Sequence, residues 1–228
     1  MLLYYTNLIL FLLSLFILIY FTYRSKGKYK IVLKTITSLL FVSIGIISHL
    51  YSQGDFYYFM LIIAALIFSL LGDIFLALKI SNNNRLNSNF LYGLISFSIA
   101  HLMYVFAFIL LSSFSILDPV IAFVLAFLTI IILKSNNSID FKNMLMPVCI
   151  YSFVILMMGL ESFKLALLTS INGTASYFLL VGALLFIISD IILAFILFYK
   201  KSSKILPGVN LITYYIGQLF LASTLLFL

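Results

Sequence analysis

Charge is scarce in this chain. Only 8% of its 228 residues are Asp, Glu, Lys or Arg, while 65% are hydrophobic and the mean hydropathy is +1.28. A soluble domain carries about 25% charged and about 45–50% apolar residues. The shortage excludes a soluble globular protein, a disordered chain and a collagen-like fibre. Cysteine is nearly absent: Cys149 alone excludes an intrachain disulfide, a thiolate zinc site and a redox pair. With only His49 and His101, a three-histidine zinc centre is excluded too. There is no G-x-x-x-x-G-K-[ST] and no G-x-G-x-x-G, so nucleotide and dinucleotide chemistry have no support. A Ser–His dyad has candidates in Ser69, Ser96, Ser98 and Ser189, but no G-x-S-x-G elbow presents any of them.

What is present in quantity is apolar sequence. Runs of about 20 apolar residues recur along the whole length, the signature of bilayer-spanning helices. The spans read as roughly 2–23, 31–51, 56–79, 90–112, 117–133, 144–161, 175–199 and 207–227, with short connections and no extramembrane domain. The expected architecture is therefore an all-α integral membrane protein, one transmembrane domain of eight helices over residues 1–228. Asp118-Pro119 suits an N-cap and first-turn proline for span five, and Pro207-Gly208 opens span eight. Pro147 falls in the first turn or two of span six, and Asn82 to Asn84 mark a loop.

The net charge of +7 does not point to nucleic acid, because the basic residues sit in the gaps between spans. Span one has nothing basic before it and is followed by Arg24, Lys26, Lys28 and Lys30, so it is expected to anchor rather than be cleaved. Counted by loop, the odd-numbered loops and their flanks hold twelve Lys and Arg (those four, with Lys34, Lys79, Arg85, Lys134, Lys142, Lys200, Lys201 and Lys204). The even-numbered loops hold Lys164 alone. The positive-inside rule then places both termini on the non-cytoplasmic side. The wealth of Ile, Asn and Lys suggests a bacterial plasma membrane. Of the Asn-x-Ser/Thr matches at Asn136 and Asn172, only the second lies on the expected outer side.

Aligning LIFSLLGDIFLAL (66–78) with LLFIISDIILAFI (184–196) superposes Asp73 on Asp190 at an offset of 117. The same offset carries His101 onto Gln218 and Phe97 onto Tyr214. Four spans per unit would make a parallel 4+4 repeat. The alternative is chance similarity between Leu- and Ile-rich helices.

Asp55, Asp118, Asp140 and Glu161 read as loop or span-end acids, which leaves Asp73 and Asp190 inside spans. At 1.5 Å per residue they lie about 9 and about 15 Å from the expected cytoplasmic end. An acid at a span centre costs about 2.5–3.5 kcal/mol on insertion scales, so it is kept for a use or a partner. His101 sits about eleven residues into span four, with Phe97 and Tyr104 on its face, and Gln218 lies at a similar depth in span eight, beside Tyr214 and Tyr215. Shared depth makes these candidates for one cavity, although a buried His, Tyr or Gln is commonly packing or interhelical glue. His49 reads as interfacial. Lys34 reads as another positive-inside charge or as a contact for a lipid phosphate at the cavity mouth.

The segments LLGDIFLALK (70–79), FLYGLISFSIAHLMYVFAF (90–108), GALLFIISDIILA (182–194) and TYYIGQLF (213–220) resemble the lysoplasmalogenase family, the YhhN-like membrane proteins. Order, spacing and the eight-span layout agree over spans two to eight. One departure is Lys34-Thr35, where the family tends to have Lys-Pro. The resemblance implies hydrolysis of the vinyl-ether bond of lysoplasmalogens, the alkenyl glycerophosphoethanolamines and glycerophosphocholines, to a fatty aldehyde and the glycerophospho-base. It implies no cofactor, a lysophospholipid substrate among membrane lipids, and Asp73 and Asp190 as the acids with His101 as the intramembrane histidine; no metal is assigned, and a metal set of the two acids with His101 is the weaker alternative.

The chemistry suits two carboxylates. A vinyl ether is split by protonation of its terminal alkene carbon, water addition to the oxocarbenium ion and collapse of the hemiacetal. Glycosidases use a pair of acids through a similar cation. Asp190, the deeper, is expected to donate the proton, and Asp73 to act as base and cation stabiliser, or the reverse. Lys34, His101, Tyr104, Tyr214, Tyr215 and Gln218 are expected to support catalysis or hold substrate. Three rivals stand beside this: a proton-coupled transporter of a small or lipid-like solute, a non-catalytic membrane scaffold, and hydrolysis of another lipid.

Overall fold

The computed structural model describes residues 1–24, 28–78, 88–168, 171, 173–200 and 203–228. Lys26, Lys79, Arg85, Lys201, Asn172 and the Asn82–Asn84 loop lie outside the described residues. Among the described residues eight helices follow one another: α1 Leu2–Arg24, α2 Lys28–Ser52, α3 Phe56–Ala77, α4 Ser88–Leu111, α5 Leu117–Ser135, α6 Leu145–Leu168, α7 Gly173–Phe198 and α8 Leu206–Ser223, the last closed by a 3₁₀ turn Thr224–Leu226. At 1.5 Å per residue these match a hydrocarbon core of about 30 Å. All eight are long and apolar enough to cross a membrane, as a multi-pass membrane protein requires. Their outward faces carry large apolar side chains such as Phe16, Phe106, Phe127 and Ile132, since lipid is as apolar as the core.

Consecutive helices pack as neighbours, α3 against α4 and α7 against α8 most extensively, and α2 also meets α8 while α4 meets α6. Where α7 crosses α8, a Cβ at Gly217 would stand 3.0 Å from the Gly182 carbonyl oxygen and 3.2 Å from the Phe186 nitrogen. Glycine lets the two backbones touch there, and that contact sets Tyr214 and Gln218 against α7. Gly72 likewise admits the Phe97 ring, 2.6 Å from where its Cβ would be. The loop after α5 is pinned to the end of α7 by a single antiparallel bridge, in which Asp140 N donates to Phe198 O and Lys200 N to Ser138 O.

The largest departure from the expected spans is in α6, which runs to Leu168 rather than ending at 161. Glu161 is therefore not a span-end acid. It is fully buried inside α6, where Lys164 Nζ stands 2.9 Å from its Oε2, 2.6 Å from Asp118 Oδ2 and 2.9 Å from Ser113 O. One lysine between two carboxylates lets the helix continue through a stretch that sequence polarity marks as its end. Asp118 does not cap α5 from outside. It sits in the first turn and accepts the Ser115 backbone N–H at 3.0 Å. Pro207 opens α8 as expected, and His49 stacks on Phe59 with ring centroids 3.9 Å apart.

Lys164→Met leaves two carboxylates with their cation removed. Breaking a buried ion pair from one side costs about 3–5 kcal/mol. The expected result is a fall of roughly 10 °C in the thermal midpoint of the detergent-purified protein. An unchanged midpoint would show that the cluster does not tie α5 to α6.

Candidate functional site

Asp73 projects from α3, four residues before its end, and is 1% exposed. Lys34 Nζ of α2 donates to its Oδ1 at 2.8 Å. Ser38 Oγ, one turn further along α2, donates to Oδ2 at 2.6 Å, and Tyr214 OH of α8 donates to the same oxygen at 2.8 Å. An ammonium and two hydroxyls on one carboxylate are charge-assisted hydrogen bonds, the stronger kind. The network extends inward. Gln218 Nε2 donates to Tyr214 OH at 3.4 Å, and Tyr104 OH of α4 donates to Gln218 Oε1 at 2.8 Å. Tyr215 OH lies 3.2 Å from Ser38 Oγ and donates to Lys34 O at 3.3 Å, bracing α2 against α8. Helices α2 and α8 thus supply the donors to the acid of α3, and α4 joins them through Gln218.

Asp190, on α7, has different neighbours. Tyr151 OH of α6 donates to Asp190 Oδ2. His101 Nε2 of α4 lies 3.0 Å from the same Tyr151 hydroxyl and 3.9 Å from Asp190 Oδ2. A tyrosine hydroxyl has one proton, so while Tyr151 gives it to Asp190, His101 must present Nε2–H to the Tyr151 oxygen. In that tautomer the contact of His101 Nδ1 with the Met158 sulfur at 3.3 Å is van der Waals packing, because the sulfur has no proton to donate. Phe186 packs edge-on to His101 with centroids 4.5 Å apart. The Asp190 side chain keeps 15% of its surface exposed, against 1% for Asp73.

One cavity joins the two acids. It has a volume of about 180 Å³, and its wall includes Lys30, Lys34, Asp73, Ser189, Asp190, Asn210 and Tyr214. It reaches the end of the bundle where α2 and α8 begin and α3 and α7 finish. A second cleft of about 120 Å³ runs between α4, α5, α6 and α7, with Leu94, Leu133, Val148, Ile155 and Ile187 in its almost wholly apolar wall. The two share Leu76, Phe97, Asp190, Leu193 and Leu197. Asp190 is therefore the charged group at the seam between a polar chamber and an apolar one. Phe97, Phe186 and Tyr214 pack edge to face behind that seam, with centroids 5.2–6.1 Å apart.

Six of the residues singled out from sequence, Asp73, Lys34, Tyr104, Tyr214, Tyr215 and Gln218, fall in the first network; Asp190 and His101 fall in the second. Lys34 turns inward to Asp73 rather than outward to the interface. Sequence reasoning passed over Ser38, Tyr151 and Asn210, and considered Ser189 only as a dyad serine. Asn210 Nδ2 donates to Ser189 O at 2.7 Å and to Ser189 Oγ at 2.9 Å, fixing the cavity wall beside Asp190. A signal for Tyr151 was present: the 117-residue offset that relates Asp73 to Asp190 also carries Lys34, the donor to the first acid, onto Tyr151, the donor to the second. Among the described residues no three His, Cys, Asp or Glu side chains gather as a metal set.

No curated protein and no solved structure matches this chain at a significant level. The family comparison does: residues 29–225, from the start of α2 to the turn that closes α8, match the model of the YhhN family, and with that coverage the chain belongs to it, the family of lysoplasmalogenases.

Proposed function

We propose that this protein is a membrane hydrolase that cleaves the vinyl-ether bond of lysoplasmalogens, releasing a fatty aldehyde and a glycerophospho-base. The observation that carries the reading is the position of Asp190. A lysoplasmalogen has a charged head and an alkenyl tail, and the bond to be broken lies between them. The cavity has the same division, with Asp190 at the seam of its polar and apolar parts. An amphiphile seated with its head in one chamber and its tail in the other brings its ether linkage to that carboxyl.

In this account protonated Asp190 delivers its proton to the alkene carbon β to the ether oxygen, and positive charge develops on the ether oxygen and the carbon bonded to it. Asp73, ionised against Lys34, stabilises that cation and orients a water. The water adds to the cationic carbon and gives a proton to the Asp190 carboxylate. Asp190 returns this proton to the ether oxygen as the hemiacetal collapses and takes up the proton of the hemiacetal hydroxyl, which leaves the aldehyde, the alcohol of the glycerophospho-base and a protonated Asp190 for the next turnover. The base role expected of Asp73 moves to Asp190 because Asp73 already accepts three donors, while Asp190 accepts one from Tyr151. Tyr151 and His101 aim Asp190, and Tyr214, Tyr215, Gln218 and Tyr104 hold the Asp73 side. Equivalent donors at Lys34 and Tyr151, with α2 on α8 matched by α6 on α4, support a parallel 4+4 repeat with one acid from each half. By the positive-inside count the polar chamber opens to the cytoplasm.

The test uses purified protein and three lysophospholipids that differ only at the sn-1 linkage. Aldehyde is expected from the alkenyl ether, with no cleavage of the alkyl ether or the acyl ester. Cleavage of the ester, or flux of an intact lipid through proteoliposomes with no bond broken, would replace this reading with one of its rivals.

A further inference from the structure

We infer that Lys30 is the binding group for the phosphodiester of the substrate's head, an assignment that rests on the reading above. Among the described residues four charged side chains line the polar chamber: Lys30, Lys34, Asp73 and Asp190. The ammonium of Lys34 is neutralised by Asp73 at 2.8 Å. Asp190 is held by a tyrosine hydroxyl and cannot serve an anion. Lys30 has no carboxylate within salt-bridge distance among the described residues, so it is the cation the chamber leaves unmatched. It lies on the chamber wall, partly covered, one turn nearer the open end than Lys34.

The spacing fits the lipid. Residues four apart stand on one face of a helix, and their axial separation is about 6 Å. Lys34 marks the level of Asp73, so Lys30 stands about 6 Å closer to the mouth. In a glycerophospholipid, five covalent bonds separate the sn-1 ether oxygen from phosphorus, about 6 Å when extended at ordinary bond lengths. A lipid with its ether at Asp190, about one turn deeper than Asp73, brings its phosphate up to the Asp73–Lys34 pair, where Lys34 is already neutralised and the long side chain of Lys30, one turn nearer the mouth, is within reach. The ammonium or choline end then points out of the mouth, away from Lys30. This explains how a site with no carboxylate set aside for the amine can accept both head groups, while a neutral alkenylglycerol is held less well. Lys34 cannot take this role, because its withdrawal from Asp73 would strand a buried carboxylate.

Binding tests this without any need for turnover. The probes are 1-O-alkyl glycerophosphoethanolamine, which has no vinyl bond to cleave, and 1-O-alkylglycerol of the same chain length, which has no phosphate. Each is titrated against the wild type, Lys30→Gln and Lys30→Arg in detergent, with thermal stabilisation as the readout. The wild type is expected to bind the phospholipid about ten-fold more tightly than the alkylglycerol, the scale of one charge-assisted hydrogen bond. Lys30→Gln should erase that preference and Lys30→Arg should keep it. A preference that survives in Lys30→Gln, or is absent from the wild type, overturns the assignment. So does stabilisation by inorganic phosphate alone that matches the phospholipid and disappears in Lys30→Gln, since that would mark a site for a free anion. If these binding results hold but the alkenyl lipid yields no aldehyde, the vinyl-ether reading fails while the phosphate site stands.

Discussion

Asp190→Asn is expected to lower aldehyde release from an alkenyl lysophospholipid by about 10²–10⁴-fold, the span typical of a lost general acid. The substitution keeps the shape of the side chain and leaves an oxygen to accept the Tyr151 hydroxyl, so the thermal midpoint should stay near that of the wild type. Asparagine has no proton of comparable acidity to give to carbon, and that single deficit carries the effect. The loss should fall on kcat, because the lipid would still fill both chambers. Near-wild-type release from a folded Asp190→Asn protein would remove Asp190 from the chemistry. Asp73→Asn should be similarly inactive for another reason: it removes the negative charge that faces the developing cation.

Lys34→Met is the second large effect, and it separates structure from catalysis. Asp73 would keep the hydroxyls of Ser38 and Tyr214 but lose the cation paired with it. A buried carboxylate deprived of its counter-charge costs about 3–5 kcal/mol, so the variant should unfold at a much lower temperature. The double variant Lys34→Met/Asp73→Asn carries neither charge and should recover most of that stability, because two neutral groups can occupy the site without a desolvated ion. It should nonetheless remain inactive. Stability of the single variant equal to the wild type would contradict the ion pair as a determinant of folding. Aldehyde release by the double variant would contradict Asp73 as the charge that stabilises the cation. The same logic applies at the opposite end of the bundle, where Lys164 serves Asp118 and Glu161 with no link to the cavity in the network described.

The eight helices were legible because long runs of Leu, Ile and Phe have no other stable use, and each run ends in polar residues. Asp73 and Asp190 stood out for the same reason, as acids inside such runs. Glu161 was misread because Lys164 follows it by one turn, and two charges so close look like the end of a span. Their cancellation is a matter of side-chain geometry, which hydropathy does not contain. Tyr151 and Ser38 were hidden differently. A tyrosine among 15, or a serine inside a helix, has no distinctive pattern until a partner is opposite it. The offset of 117 could have marked Tyr151, since it falls on the position of Lys34. The division of the cavity was not readable at all. It depends on how closely α7 approaches α8 at Gly182 and Gly217 and α3 approaches α4 at Gly72, and those contacts are settled only when all the helices are packed.

The central claim is that one lipid spans both chambers with its ether at Asp190. It is tested most directly by a cryo-EM structure of the protein with a saturated 1-O-alkyl lysophosphoethanolamine bound. The account expects the alkyl chain between α4, α5, α6 and α7 against Leu133, Val148 and Ile187, and the ether oxygen beside the Asp190 carboxyl or a water held by it. A lipid seated on the outer wall of the bundle, with both chambers empty of it, would contradict the account.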